Sequence, residues 1–325
     1  MFGFAKKISA AGKNHSDCSG CGLCLLVCPV WRYSRDASLT PPGHFKALQH
    51  GVGASDIAAS AWHCTVCMAC EPVCPERIDI TGIVLELRSQ QSTPAWRRDL
   101  QLRLCERPAR PFVVATRPTS IVLLPDASLH EYPDAMARIV SLLEASFSED
   151  DCADVSLALE AGATIHEQCL ERFVAPLRQM KKIIVADGLL LRHLKKWLPN
   201  ANIVGLGEAL SSHAAVRRGL RSTDLYVIEP RAYHSDYQRL VKHYDRMRAA
   251  YGCAFNLDLQ RIAIPATARS LPQRLGLMAS RDDGQTRWAL HGRGIERIVV
   301  ENVEERAALE NVSGLPVVHV AELAG

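Results

Sequence analysis

From residue 120 onward, short runs of β-branched and aliphatic residues alternate with stretches whose apolar positions recur at helical spacing. This pattern predicts strands at 121–124, 182–186, 202–204, 225–229, 262–264, 297–300 and 316–320, with helices at 134–145, 165–180, 188–197, 236–251 and 303–310. Strands that take turns with helices imply a parallel α/β layer structure. The alternation also repeats. Lys182-Ile183-Ile184-Val185-Ala186-Asp187 matches Arg297-Ile298-Val299-Val300-Glu301-Asn302, and a one-residue gap then aligns Ile203-Val204-Gly205-Leu206-Gly207-Glu208 with Val317-Val318-His319-Val320-Ala321-Glu322. Two tandem related halves are expected.

Upstream of residue 120 the strand pattern is absent. Pro41-Pro42-Gly43 breaks the chain, and 44–49 and 55–63 read as short helices on either side of a Gly51-Val52-Gly53 turn. Ile78 and Ile80 lead into Thr81, an N-cap candidate, followed by Ile83, Val84 and Leu87 on one helical face. Pro94, Pro108 and Pro111 bracket a basic segment, 96–104, that suits either an anionic surface or an interdomain helix with solvated arginines. Phe2, Phe4 and Ile8 beside Lys6, Lys7 and Lys13 fit a frayed terminus better than a surface-bound amphipathic helix. The expected fold class is therefore α+β multidomain. A helical unit spans 1–93, a linker 94–119, and a duplicated α/β region 120–325.

The helical unit carries the chemistry. Cys18-x-x-Cys21-x-x-Cys24-x-x-x-Cys28-Pro29 recurs as Cys64-x-x-Cys67-x-x-Cys70-x-x-x-Cys74-Pro75. This is the run that holds iron–sulfur cubanes: three closely spaced thiolates cap three irons, and the fourth, directed away, ligates the other cluster. Two [4Fe–4S] clusters are expected, one on Cys18, Cys21, Cys24 and Cys74 and one on Cys64, Cys67, Cys70 and Cys28. Gly20 and Gly22 lie between the cysteines, where a missing Cβ admits unusual φ angles and lets N–H groups approach sulfur. Zinc has no use for a third evenly spaced cysteine and a following proline. Disulfides are disfavoured because Met1 to Lys7 lacks a secretory apolar core, so a reducing cytoplasm is the expected setting.

Composition adds limits. Eight of the twelve cysteines belong to the two runs, and Cys105, Cys152, Cys169 and Cys253 read as small buried apolar residues. A net charge of +3 over 325 residues is too mild for a nucleic-acid footprint. No apolar run approaches the length of a membrane span, which leaves at most peripheral association with a membrane. No phosphate-binding loop, dinucleotide fingerprint, nucleophile elbow or His-Glu-x-x-His is present.

A cysteine dicluster with a helical insert, followed by two α/β halves, resembles the iron–sulfur subunits of glycolate-oxidase-type and anaerobic glycerol-3-phosphate dehydrogenases and the heterodisulfide-reductase subunits. The resemblance implies an α-helical dicluster ferredoxin followed by paired cysteine-rich domains with Cys-Cys-Gly motifs. The cysteines of those motifs are missing here. Glu229-Pro230-Arg231 stands where Asp-Pro-Cys is expected, and Pro265-Ala266-Thr267-Ala268-Arg269-Ser270 where Cys-Cys-Gly is expected. The expected function is electron transfer between a flavoprotein dehydrogenase subunit, or another redox protein, and a further acceptor such as a quinone, flavoprotein or ferredoxin. No catalytic residue is assigned, because cubanes ligated by four thiolates leave no open iron site. The alternative is a heterodisulfide-reductase-like enzyme with its own site among Arg231, Tyr233, His234, Asp236, His243 and Tyr244.

Overall fold

The computed structural model describes residues 13–91, 95–106, 120–147, 152–279 and 283–324. Among these the α/β region forms two four-stranded sheets. β1 (Ile121–Leu124), β2 (Ser146–Phe147), β3 (Lys182–Val185) and β4 (Ile203–Gly205) run in the order β2-β1-β3-β4. β5 (Asp224–Val227), β6 (Ala254–Phe255), β7 (Arg297–Val300) and β8 (Val317–His319) run in the order β6-β5-β7-β8. All neighbours pair in parallel. Their residues are apolar because both faces are covered: Leu123 and Ile184 of the first sheet share one buried cluster with Tyr226 and Val299 of the second.

The helix Gly188–Trp197 forms where the apolar spacing puts it, with the Asp187 carboxylate accepting from Leu190 N at 2.7 Å. Its first residue must be glycine, since a Cβ there would lie 2.1 Å from Ala232 N. Other elements depart from expectation. Residues 262–264 form no strand; Ala263 makes only an isolated antiparallel bridge to Leu257. β2 and β6, two residues each, are too short to show a period in sequence. The stretch 165–180 splits into Glu167–Val174 and a 3-10 turn Pro176–Gln179, because Pro176 has no N–H to continue the ladder. Likewise 303–310 divides into a 3-10 turn, Val303–Glu305, and the helix Arg306–Ser313.

Upstream, helices Leu23–Leu26, Pro29–Ser34, Pro41–Gln49, Ala54–Ile57 and Ile80–Gln90 surround the cysteine runs. The cap of the last is Asp79, accepting from Gly82 N at 2.9 Å, and not Thr81, whose N–H goes to Glu71 at 2.9 Å. The basic segment is a helix, Ala95–Glu106. Its Leu100 is buried against Val122, Val155 and Leu177, and the buried Arg97 donates to Arg88 O at 2.9 Å and Ser89 O at 3.2 Å. The terminal stretch with Phe2, Phe4 and Ile8 lies outside the described residues. Among the described residues no helix is long and apolar enough to cross a membrane.

Candidate metal centre

The two cysteine runs share one backbone trace. Leu25 N bonds Gly22 O at 3.0 Å and Cys28 N bonds Leu25 O at 3.2 Å; at the equivalent places Glu71 N bonds Met68 O and Cys74 N bonds Glu71 O, both at 3.1 Å. Positive φ angles recur in register: Gly20 and Gly22 at 78°, Val66 at 55° and Met68 at 61°. Glycine adopts this region freely. A buried β-branched residue does so only under constraint, at about 1–3 kcal/mol.

The constraint is visible in the hydrogen bonds. Arg88 Nη2 donates to Cys64 O at 2.5 Å, Arg231 Nη2 to Thr65 O at 3.0 Å, and His234 Nδ1 meets Cys67 O at 2.8 Å. Since Ala263 N–H donates to His234 Nε2 at 3.2 Å, the ring proton sits on Nδ1 and is donated to Cys67. Burial pushes the His234 pKa down to about 4, which keeps the ring neutral. Arg231 is held by Glu160 in a two-pronged contact at 2.8 and 2.9 Å, and Arg274 joins the same carboxylate. Arg192 pairs with Glu71 at 2.7 Å and Asp79 at 2.6 Å on the other side of the run.

The thiols fall into two neighbourhoods. Burial, then Cys18, raises the pKa of Cys24 to about 11, with Cys21 and Cys74 acting in the same sense. Cys28 is pushed up to about 12 by burial and by the proximity of Cys67 and Cys64, and Cys70 is raised by burial and by Glu71, Cys67, Cys64 and Cys28. A pocket partly open to solvent is lined by five of the thiols, Cys24, Cys28, Cys64, Cys67 and Cys70. Backbone N–H groups point at these sulfurs; that of Val66 lies 3.4 Å from Cys64 Sγ. Among the described residues no group of three or more His, Cys, Asp or Glu side chains is gathered to hold a single ion. Thiols spaced around a cavity are what a cube needs, with one thiolate per iron. Buried thiols of high pKa lose their protons on binding metal.

The rings of the remaining candidates pack together, Tyr233 against His234 and Tyr244 and Tyr244 against His243, but their polar atoms go to separate partners. Tyr233 OH donates to Arg261 O at 2.7 Å, Asp236 pairs with Lys195 at 2.7 Å, His243 meets Ser211 Oγ at 2.9 Å, and Tyr244 OH donates to Glu301 at 2.7 Å. Cys169 and Cys253 are buried as expected, while the side chains of Cys105 and Cys152 lie outside the described residues. Sequence reasoning missed Arg88, Glu160 and Arg192. A lone arginine on an amphipathic helix carries no signal of its own, since its role depends on loops far away in the chain.

Residues 14–78 match the family model of the 4Fe-4S dicluster domain, which makes this an iron–sulfur protein. Two curated proteins, both of them heterodisulfide reductase C subunits, are similar to it. One belongs to the Ferredoxin/F(420)H(2)-dependent CoB-CoM heterodisulfide reductase of Methanosarcina acetivorans and is 31% identical over 83 residues, or 26% of this chain and 50% of that protein. The other belongs to the Ferredoxin:CoB-CoM heterodisulfide reductase of Methanosarcina mazei and is 28% identical over 148 residues, 43% of this chain and 89% of that protein. The chain thus spans half the length of the first relative and most of the second. The part of the chain that carries the cysteine runs is similar to heterodisulfide reductase C subunits. No solved structure matches it.

Proposed function

We propose that the chain is an electron-transfer subunit holding two [4Fe–4S] clusters by crossed ligation, with Cys18, Cys21, Cys24 and Cys74 on one and Cys64, Cys67, Cys70 and Cys28 on the other. The carrying observation is the grouping of the thiols. Cys28 lines one pocket with Cys64, Cys67 and Cys70, on whose wall Cys24 also lies, and Cys74 acts on Cys24 together with Cys18 and Cys21. Bound clusters supply one-electron transfer. The chain's part is to supply the thiolates, aim backbone N–H groups at sulfur and shield the second set from water. The donor is a flavoprotein dehydrogenase subunit or another redox protein, and the acceptor a quinone, flavoprotein or ferredoxin.

In this reading residues 1–93 are the cluster unit, 94–119 the linker, and 120–325 a duplicated scaffold that covers the second set. Equal strand orders and matching caps support duplication: Asp187 accepts from Leu190 N after β3, and Asn302 from Glu304 N after β7. The scaffold does not read as an active site of its own. Arg231, at the place of the expected cysteine, is bound to Glu160 and Thr65, and the helix starts at Gly188 and Ala232 meet too closely for a ligand.

The test is Cys21→Ser and Cys67→Ser in the native complex. Each is expected to abolish electron flow while the partner flavoprotein stays active with an artificial acceptor. Unimpaired physiological turnover in both variants refutes the relay.

A further inference from the structure

Arg88 is fully buried on the helix Ile80–Gln90, and its donors end on main-chain carbonyls: Ala61 O at 3.3 Å, Glu160 O at 2.6 Å and Cys64 O at 2.5 Å. The guanidinium also lies 5.0 Å from the centre of the Trp62 ring. Among the described residues it forms no ion pair, whereas nearby Arg231 and Arg274 share Glu160. A guanidinium cannot shed its proton in a protein. A buried cation without a counter-charge is costly, so such a group implies an anion close by. The carboxylate nearby, Glu160, is already shared by Arg231 and Arg274, and the loop that Arg88 grips is that of Cys64, a ligand candidate of the second set.

We infer that Arg88 is the built-in counter-cation of the second cysteine set, holding up the reduction potential of a cluster bound there against the effect of burial. The inference rests on the crossed-ligand reading above. Four thiolates make a bound cubane net anionic, and reduction by one electron adds a further negative charge. Burial disfavours that added charge, and a fixed cation beside Cys64 favours it. The first set has no such need. Cys21 is exposed to water, and a cation that touches that loop, the half-buried Lys46, 3.1 Å from Cys18 O, is not enclosed as Arg88 is. Arg88 thus keeps the two potentials close enough for an electron to cross between the sites.

The experiment is an EPR-monitored reductive titration with dithionite of the full chain, reconstituted with iron and sulfide. The parent is expected to show two centres. Arg88→Gln should move the midpoint of one to more negative potential and leave the other in place, and Arg88→Lys should move it back toward the parent value. Glu160→Gln removes an anion from the same group and should shift that midpoint the opposite way, which keeps the test open if Arg88→Gln fails to fold. Two centres whose midpoints stay fixed in the variants that fold overturn the inference and leave the relay reading intact. A parent chain that takes up iron for one cluster only overturns the crossed-ligand reading itself.

Discussion

The first and second cysteine runs have the same spacing and the same turn hydrogen bonds, yet they reach that shape by different means. In the first, Gly20 and Gly22 adopt positive φ without strain and Cys21 faces water. In the second, Val66 and Met68 are bent into the same conformation while 2% and 1% exposed, and Arg88, Arg231 and His234 hold the carbonyls of Cys64, Thr65 and Cys67. One loop is shaped by its own residues, the other by tertiary contacts that also wall it off from solvent. Val66 and Met68 pack against Leu85 and Leu189, so the side chains that strain the loop also attach it to the α/β region.

Breaking the outer clasp has the largest expected effect. Glu160→Ala leaves Arg231 and Arg274 without their shared buried carboxylate, and is expected to cost about 3–5 kcal/mol in urea denaturation. Nearby carboxylates hold these guanidiniums less tightly: Asp187 lies 3.6 Å from Arg231 and Glu304 3.7 Å from Arg274. A loss under about 1 kcal/mol would mean that the second run does not depend on this clasp.

A smaller effect sharpens the contrast between the loops themselves. A Cβ at Gly22 meets nothing within 4 Å, so Gly22→Ala isolates the backbone cost of φ +78° and is expected to destabilise by about 1 kcal/mol. Val66→Gly relieves strain of the same kind but leaves a small cavity, and is expected to fall within about 1 kcal/mol of the parent. If Val66→Gly costs well over about 1 kcal/mol, as truncating an unstrained buried valine would, the second loop is not strained and the contrast fails.

A pH-dependent effect belongs to a site away from both runs. Glu301, whose carboxylate accepts from Tyr226 OH at 2.8 Å and Tyr244 OH at 2.7 Å, is pushed up to about 7 by burial from an ordinary 4.5. A raised carboxyl gives stability that is complete below its unfolded pKa and is lost as pH rises through the folded one. Glu301→Gln should therefore remove a decline of up to about 1.4 kcal/mol per pH unit between about pH 4.5 and 7, read from denaturation midpoints, without altering iron uptake by either run. An unchanged pH slope would show that Glu301 does not titrate in this window.

The cysteine runs, the strands β1, β3, β5 and β7 and the helix Gly188–Trp197 were legible because each is specified locally, by ligand spacing or by an apolar period. Among the parts that were not legible are β2, β6, the Asp79 cap, and the break at Pro176. The two short strands depend on the neighbours that complete their ladders. The cap went to the residue whose carboxylate reaches Gly82 N, a choice that a Thr and an Asp two positions apart leave open in sequence. At Pro176 the missing N–H was readable, but the apolar period on both sides outweighed it.

The sequence by itself determined the number and spacing of the thiols, the glycines of the first loop and the α/β alternation, because these follow from the covalent order and the local period. Tertiary structure alone decided that Val66 bends as a glycine would, and that Arg88 and His234 hold the carbonyls of the second run. It also decided that an arginine at the place of the expected cysteine grips the loop of the second run. Each of these joins residues far apart in the chain, and such contacts form only when helices and sheets close on one another and leave buried carbonyls and charges that must find partners.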